Sequence, residues 1–233
     1  MKNKILWIVT FLPTIVTLIV VQFMPASIPM HSDLAGNIDR WGSKYESFIF
    51  PVMIIAMTLF WQCFLRYYNK KKITGEDEKV RREAESNGKV IYVVAIGMAI
   101  LFSIMHYFIL YSSIMEAKNN LSTAYIDINF VTNTLLGIFF IVIGSYMPKC
   151  KLNSTVGVRT PWSMKNDKVW ADANKFGGKS MIVSGILVVL ETIFIGGFTS
   201  TLIMIGIVIV DGIVSIIYSY RSYNKYEKSN REI

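Results

Sequence analysis

The chain has 233 residues, 53% of them hydrophobic and only 17% charged, with a mean hydropathy of +0.44. That is too apolar and too poor in charge for a soluble domain of this size. The formal net charge of +8 then belongs to membrane orientation before it suggests a polyanionic partner, and no direct nucleic-acid binding is expected.

Apolar runs long enough to cross a hydrocarbon core of roughly 30 Å recur along the chain. They predict six helices at about 5–23, 48–65, 90–115, 128–147, 180–196 and 199–220. The first starts after a short basic stretch and holds Pro13, a kink signal. It is too long for the apolar part of a signal peptide, and no A-x-A-like site precedes Pro29, so a retained helix is expected.

A polar loop over 25–47 follows. Its two prolines, Pro25 and Pro29, favour extended backbone before His31, and Gly36 and Gly42 allow tight turns. Asp39, Arg40 and Lys44 are placed for local pairing. The loop reads as a folded cap on the outer helix ends, or as a surface for an external peptide. His31, Asp33 and Asp39 are three candidate ligands, but with no second histidine nearby no metal is expected.

Residues 66–89 carry Lys70, Lys71 and Lys72, Arg81 and Arg82, and the acidic run Glu76-Asp77-Glu78. They read as a solvated linker with a helical patch. His106 lies inside the third apolar run, and Glu191 and Asp211 lie inside the fifth and sixth. A carboxylate near the bilayer centre costs on the order of 2.5–3.5 kcal/mol, so each needs a partner, water or a proton. At 1.5 Å per residue the two differ in depth by roughly 9 Å, too far for direct pairing without a bridging group. Asn129, Thr132, Asn133 and Thr134 near the start of the fourth run predict bonds to neighbouring helices.

Between the fourth and fifth runs lies a basic, polar stretch, 148–179. Trp162, Val169, Ala173 and Phe176 recur near helical spacing, with Trp170 beside them. Thr160 or Ser163 is a candidate cap, Pro161 suits a first turn, and Gly177-Gly178 reads as a stop. The expected element is a short amphipathic helix at the membrane surface, its tryptophans at headgroup depth.

The fold class is therefore an all-α integral membrane protein. A single transmembrane domain, 1–233, forms a six-helix bundle with a short amphipathic cytoplasmic helix between the fourth and fifth helices. Of 24 lysines and arginines, only Arg40, Lys44 and Lys118 fall on one side. That asymmetry places both termini in the cytoplasm, loop 25–47 outside and stretch 148–179 inside. Cys63 and Cys150 have neither zinc-like nor disulfide-framework spacing.

Pro148, Lys149, Lys151, Asn153, Gly157, Arg159, Thr160, Pro161, Trp162, Ser163, Val169 and Trp170 together resemble the signature of the SdpI family of bacterial six-helix membrane proteins. Ile28, Pro29, His31, Gly36, Asp39, Trp41, Gly42, Ser43 and Lys44 resemble a second motif, found in the N-terminal part of such proteins. Many members carry His-Arg where this chain has Asn174-Lys175. The resemblance implies a multi-pass protein of the bacterial cell membrane that gives immunity to a secreted peptide toxin. It further implies a soluble repressor as cytoplasmic partner, with no cofactor. A small proton-coupled transporter using Glu191 and Asp211 is the competing class. No H-E-x-x-H or G-x-S-x-G motif points to an enzyme.

Overall fold

The computed structural model describes residues 2–231, and the side chains of 3–228. It holds six long helices: α1 (Lys2–Val20), α2 (Ile49–Thr74), α3 (Glu78–Asn119), α4 (Ile128–Tyr146), α5 (Asp167–Ile195) and α6 (Gly197–Arg231). All six are long and apolar enough to cross a membrane. The protein is an all-α, six-helix membrane bundle, as the hydropathy pattern predicts. Its only described sheet is a two-stranded hairpin, β1 (Ser27–Ser32) and β2 (Ile38–Ser43).

Three elements differ from the sequence reading. The charged linker is helical: α2 runs on to Thr74 and α3 begins at Glu78. Asp77 Oδ1 accepts from Val80 N at 2.7 Å and caps α3. Pairs Glu78–Arg82, Lys79–Glu83 and Glu85–Lys89, each four residues apart, hold the charged turns together. At 42 residues α3 is about 63 Å long, roughly twice a hydrocarbon core, so its charged end leaves the membrane.

Loop 25–47 is the hairpin. Ser27 faces Ser43 and Pro29 faces Trp41, with register irregularities on either side of His31.

The short amphipathic helix between α4 and α5 is not a separate element. A 3-10 turn at Ser163–Lys165 precedes α5, which is continuous through Gly177 and Gly178. Those glycines do not end the helix; Gly177 makes room for the Val158 side chain, and Gly178 lets another backbone approach. A Cβ on Gly178 would lie 2.5 Å from the Gly144 carbonyl oxygen, and one on Gly144 2.6 Å from that of Gly178. Two turns along, a Cβ on Gly185 would lie 2.5 Å from the Gly137 oxygen. Reciprocal glycines seven residues apart on each helix thus set the α4–α5 contact, the small-residue packing that suits membrane helices.

The chain divides into two compact units. One comprises Met1–Phe60, Ala95–Leu135 and Leu190–Leu202; the other comprises Trp61–Val94, Leu136–Val189 and Ile203–Ile233. The first contains the hairpin, seated on a cluster of Met24, Ile28 and Leu110. Ile28 is 1% exposed, and such burial is worth about 1.5–3 kcal/mol. The second contains the signature stretch and a cluster of Val90, Cys150 and Trp170.

Candidate functional site

In the second unit, the signature stretch is a fixed loop built on three asparagines. Asn153 Oδ1 accepts from Thr155 N and Val156 N at 2.7 and 2.9 Å. Its Nδ2 donates to the carbonyls of Lys151 and Val156 at 2.7 and 3.1 Å. Asn87 Oδ1 accepts from Lys151 N, and Ser86 Oγ donates to the Lys149 carbonyl. Asn174 is fully buried; its Oδ1 accepts from Val158 N at 2.8 Å and its Nδ2 donates to the Trp170 carbonyl.

Gly157 lies between these anchors at φ +116°, where a Cβ would sit 2.3 Å from Asn174 Oδ1. Both the backbone conformation and the space call for glycine. Thr160 and Ser163 bond reciprocally, Thr160 N to Ser163 Oγ and Ser163 N to Thr160 Oγ1, and Thr160 Oγ1 also meets Ser219 Oγ on α6. They lock the turn. Capping of α5 falls to Asn166, whose Oδ1 accepts from Lys168 N and Val169 N.

The tryptophans separate. Trp162 packs edge-on against Tyr220 with ring centroids 5.0 Å apart. Trp170 is 1% exposed and donates from Nε1 to the Cys150 carbonyl at 2.9 Å. It is an interior residue and not an exposed one on the surface of a helix, and its indole N–H finds its partner in the loop. Burial pushes the Cys150 thiol up to about 12.

Much of the signature is therefore taken up in holding the loop's shape. Left exposed are Pro148, Lys149, Lys151, Arg159, Pro161, Lys165 and Lys168. Arg159 makes a single long bond, 3.4 Å, to the Thr155 carbonyl. Lys149 Nζ lies 4.3 Å over the Tyr146 ring. Beside this cationic face is a cavity of about 520 Å³ lined by Lys79, Arg82, Lys151, Asp167 and Trp170 among others.

In the first unit, the hairpin places His31 Nδ1 2.6 Å from Asp39 Oδ1 and Arg40 2.6 Å from Glu46. Ser43 and Glu46 form a capping box at the start of the turn into α2, and Lys44 Nζ reaches the Met24 carbonyl at 3.5 Å. Asp33 turns into the hairpin tip. It accepts from Ala35 N, Asn37 N and Asn37 Nδ2, and these bonds hold its carboxyl below the usual carboxylate range. Among the described residues no three of His, Cys, Asp and Glu are arranged to hold a metal ion. Gly36 occupies the tip at positive φ, and Trp41 is exposed. The hairpin is tied down by Ser113 Oγ donating to the Pro29 carbonyl and by backbone bonds Ile38 N to Ser122 O and Ala124 N to Gly36 O.

Several polar residues in the helices have local partners, while His106 Nδ1, Thr134 Oγ1 and Glu191 Oε2 are buried with no hydrogen-bond partner among the described residues. His106 Nε2 is 2.7 Å from Thr17 Oγ1, and its ring stacks on Phe50. Glu191 Oε1 accepts from Ser200 Oγ and Thr192 Oγ1, about one turn from the end of α5. Asn133 Nδ2 donates to Ser200 and Thr201, as expected for the start of α4. Asp211 accepts from Ser180 Oγ.

Sequence reasoning passed over Asp127. Its Oδ1 accepts from Asn129 N and Phe130 N at the start of α4, and its Oδ2 accepts from Gly197 N at the start of α6. One carboxylate caps two helices. Its place just ahead of an apolar run was the available signal. Glu116, treated below, had no comparable signal.

These features define a multi-pass α-helical membrane protein with a pinned hairpin in one unit and a rigid cationic loop in the other. Residues 149–219 match the SdpI/YfhL protein family, and residues 8–55 match a domain of unknown function, DUF1648. The chain is 26% identical over 228 residues to "Immunity protein SdpI" of Bacillus subtilis (strain 168), covering 98% of this chain and 99% of that protein. The resemblance to the SdpI family read from the signature is borne out. No solved structure matches the chain.

Proposed function

We propose that this is an immunity-type protein of the bacterial cell membrane that protects its host from a secreted antimicrobial peptide. The observation that carries the reading is end-to-end similarity to an immunity protein, with almost no residue of either chain left out. The distribution of positive charge supports an orientation with both termini in the cytoplasm, the hairpin outside and the signature loop inside. In this arrangement the hairpin face, with exposed His31 and Trp41, meets the peptide. The loop face, with Lys149, Lys151, Arg159 and Lys165 making no ion pair among the described residues, attracts an acidic soluble protein such as a transcriptional repressor. Asp211 and one oxygen of Glu191 accept from hydroxyl groups, so a proton-coupled transporter ranks second. The activity proposed is protection by binding, without chemistry on the peptide.

The test is expression in a sensitive host challenged with a panel of secreted peptides. The parent protein should raise survival against at least one of them. His31→Ala and Arg159→Ala alter exposed side chains, so both variants should fold. The first should lose protection, and the second should retain protection while losing membrane capture of the partner. If the parent protects against none, the immunity reading fails; if both variants behave as the parent, the site assignment fails.

A further inference from the structure

Beside the hairpin lies a cavity of about 340 Å³. Its wall is apolar at Met30, Phe108 and Ile126 and carries three carboxylates, Asp33, Glu116 and Asp127. Among the described residues no lysine or arginine lines it, and its one histidine, His31, is paired with Asp39. Such a wall favours a ligand that is apolar along its length and positive at one point.

The carboxylates are not equivalent. Both oxygens of Asp33 are committed to the hairpin tip, and both of Asp127 to the starts of α4 and α6. Glu116 is different. It is 5% exposed, and its Oε1 accepts from Ser112 Oγ and from Tyr125 N. Its Oε2 takes no donor from any described residue, while the side chain lines the cavity. That oxygen is not sealed in the interior but opens onto the cavity, where a charged or hydrogen-bonding ligand can reach and complete it. A metal ion would need several such oxygens together, and no such group is present among the described residues. A single open oxygen in an apolar wall suits an ammonium group, which is compact and brings its own three donors.

We infer that this cavity binds a primary ammonium group carried on an apolar peptide segment, with Glu116 as the anchoring carboxylate. Asp33 and Asp127 contribute their charge to the field without touching the ligand directly. The inference rests on the reading that the hairpin face meets a secreted peptide, and it names the chemistry of that contact. The ammonium is either a lysine side chain or the peptide's amino terminus.

The experiment uses the full-length protein in lipid nanodiscs, with nanodiscs lacking protein as the blank. Three fluorescein-labelled decapeptides of leucine and alanine are compared by anisotropy. One has a single lysine and an acetylated amino terminus, one has a free amino terminus and no lysine, and one has neither. At least one of the first two should bind about tenfold tighter than the third, the range expected for a charge-assisted hydrogen bond. Whichever binds more tightly identifies the source of the ammonium. Glu116→Gln keeps an acceptor for Ser112 and Tyr125 but removes the charge, and it should erase the difference. Leu34→Arg changes a side chain that is 69% exposed on the cavity rim; it should weaken the ammonium-bearing peptides without disturbing the fold. Equal binding of all three peptides to the parent, or an undiminished preference in Glu116→Gln, overturns the inference. Because no cell is involved, either outcome is independent of whether the parent confers immunity.

Discussion

Asn153 uses its whole amide. Two backbone N–H groups and two carbonyls of the 151–156 loop converge on it, and the Tyr68 hydroxyl reaches it from α2 at 3.4 Å. Only a carboxamide, of Asn or Gln, presents two donors and two acceptors in one plane. Asn153→Ala leaves those backbone groups without partners in a loop that is only 9% exposed at this residue, at a cost of about 1–3 kcal/mol. The purified variant should melt at lower temperature in detergent, and proteases should cut within 151–159 sooner than in the parent. Arg159→Ala removes only one long, exposed bond and should leave both measurements near those of the parent. A parent-like melt and digestion pattern in Asn153→Ala would show that the loop is held by something other than this amide.

At the level of elements, the α4–α5 contact is the part most sensitive to a single atom. A methyl added at Gly185 would meet the Gly137 oxygen at 2.5 Å and the Ile141 side chain at 2.8 Å. Neither backbone can retreat without opening the contact. Gly185→Ala and Gly144→Ala should therefore reduce the yield of monodisperse protein on size exclusion. Gly206→Ala and Gly212→Ala on α6 have nothing within 4 Å of the added carbon and should be neutral or gain up to about 1 kcal/mol from helix propensity. Equal yields across all four variants would remove the packing argument. The same pair of helices shows what was legible beforehand. Six crossings could be read from the apolar runs because hydropathy is a local property. The role of Gly178 could not, because a glycine that ends a helix and one that admits a neighbouring backbone look alike until Gly144 is seen opposite. Trp170 was misplaced for the same reason: its partner, the Cys150 carbonyl, lies 20 residues away. The helical character of 66–89 was accessible, since the spacing of Glu78 to Arg82 and Glu85 to Lys89 is helical pairing. The hairpin was half legible: its glycines signalled turns, but the Asp33–Asn37 tip was hidden by reading Asp33 as a possible ligand.

For the molecule as a whole, the proposed activity depends on which side of the bilayer each motif faces. On the reading from charge, three of the 24 cationic residues fall on the hairpin side and the rest on the other. Two exposed positions test it, Leu34 at the hairpin tip and Lys165 in the turn before α5. Single cysteines at these sites are best placed in a Cys63→Ser background. Cys150 can stay, because it is 3% exposed and burial pushes its thiol up to about 12. At pH 8 almost none of it is thiolate, so it should react with maleimide only after denaturation. In intact cells an impermeant maleimide should then modify Leu34→Cys promptly, and Lys165→Cys only once the membrane is permeabilised. The reverse pattern would place the cationic loop outside. It would detach that loop from any cytoplasmic repressor, and it would put the Glu116 cavity beyond the reach of a peptide arriving from the medium.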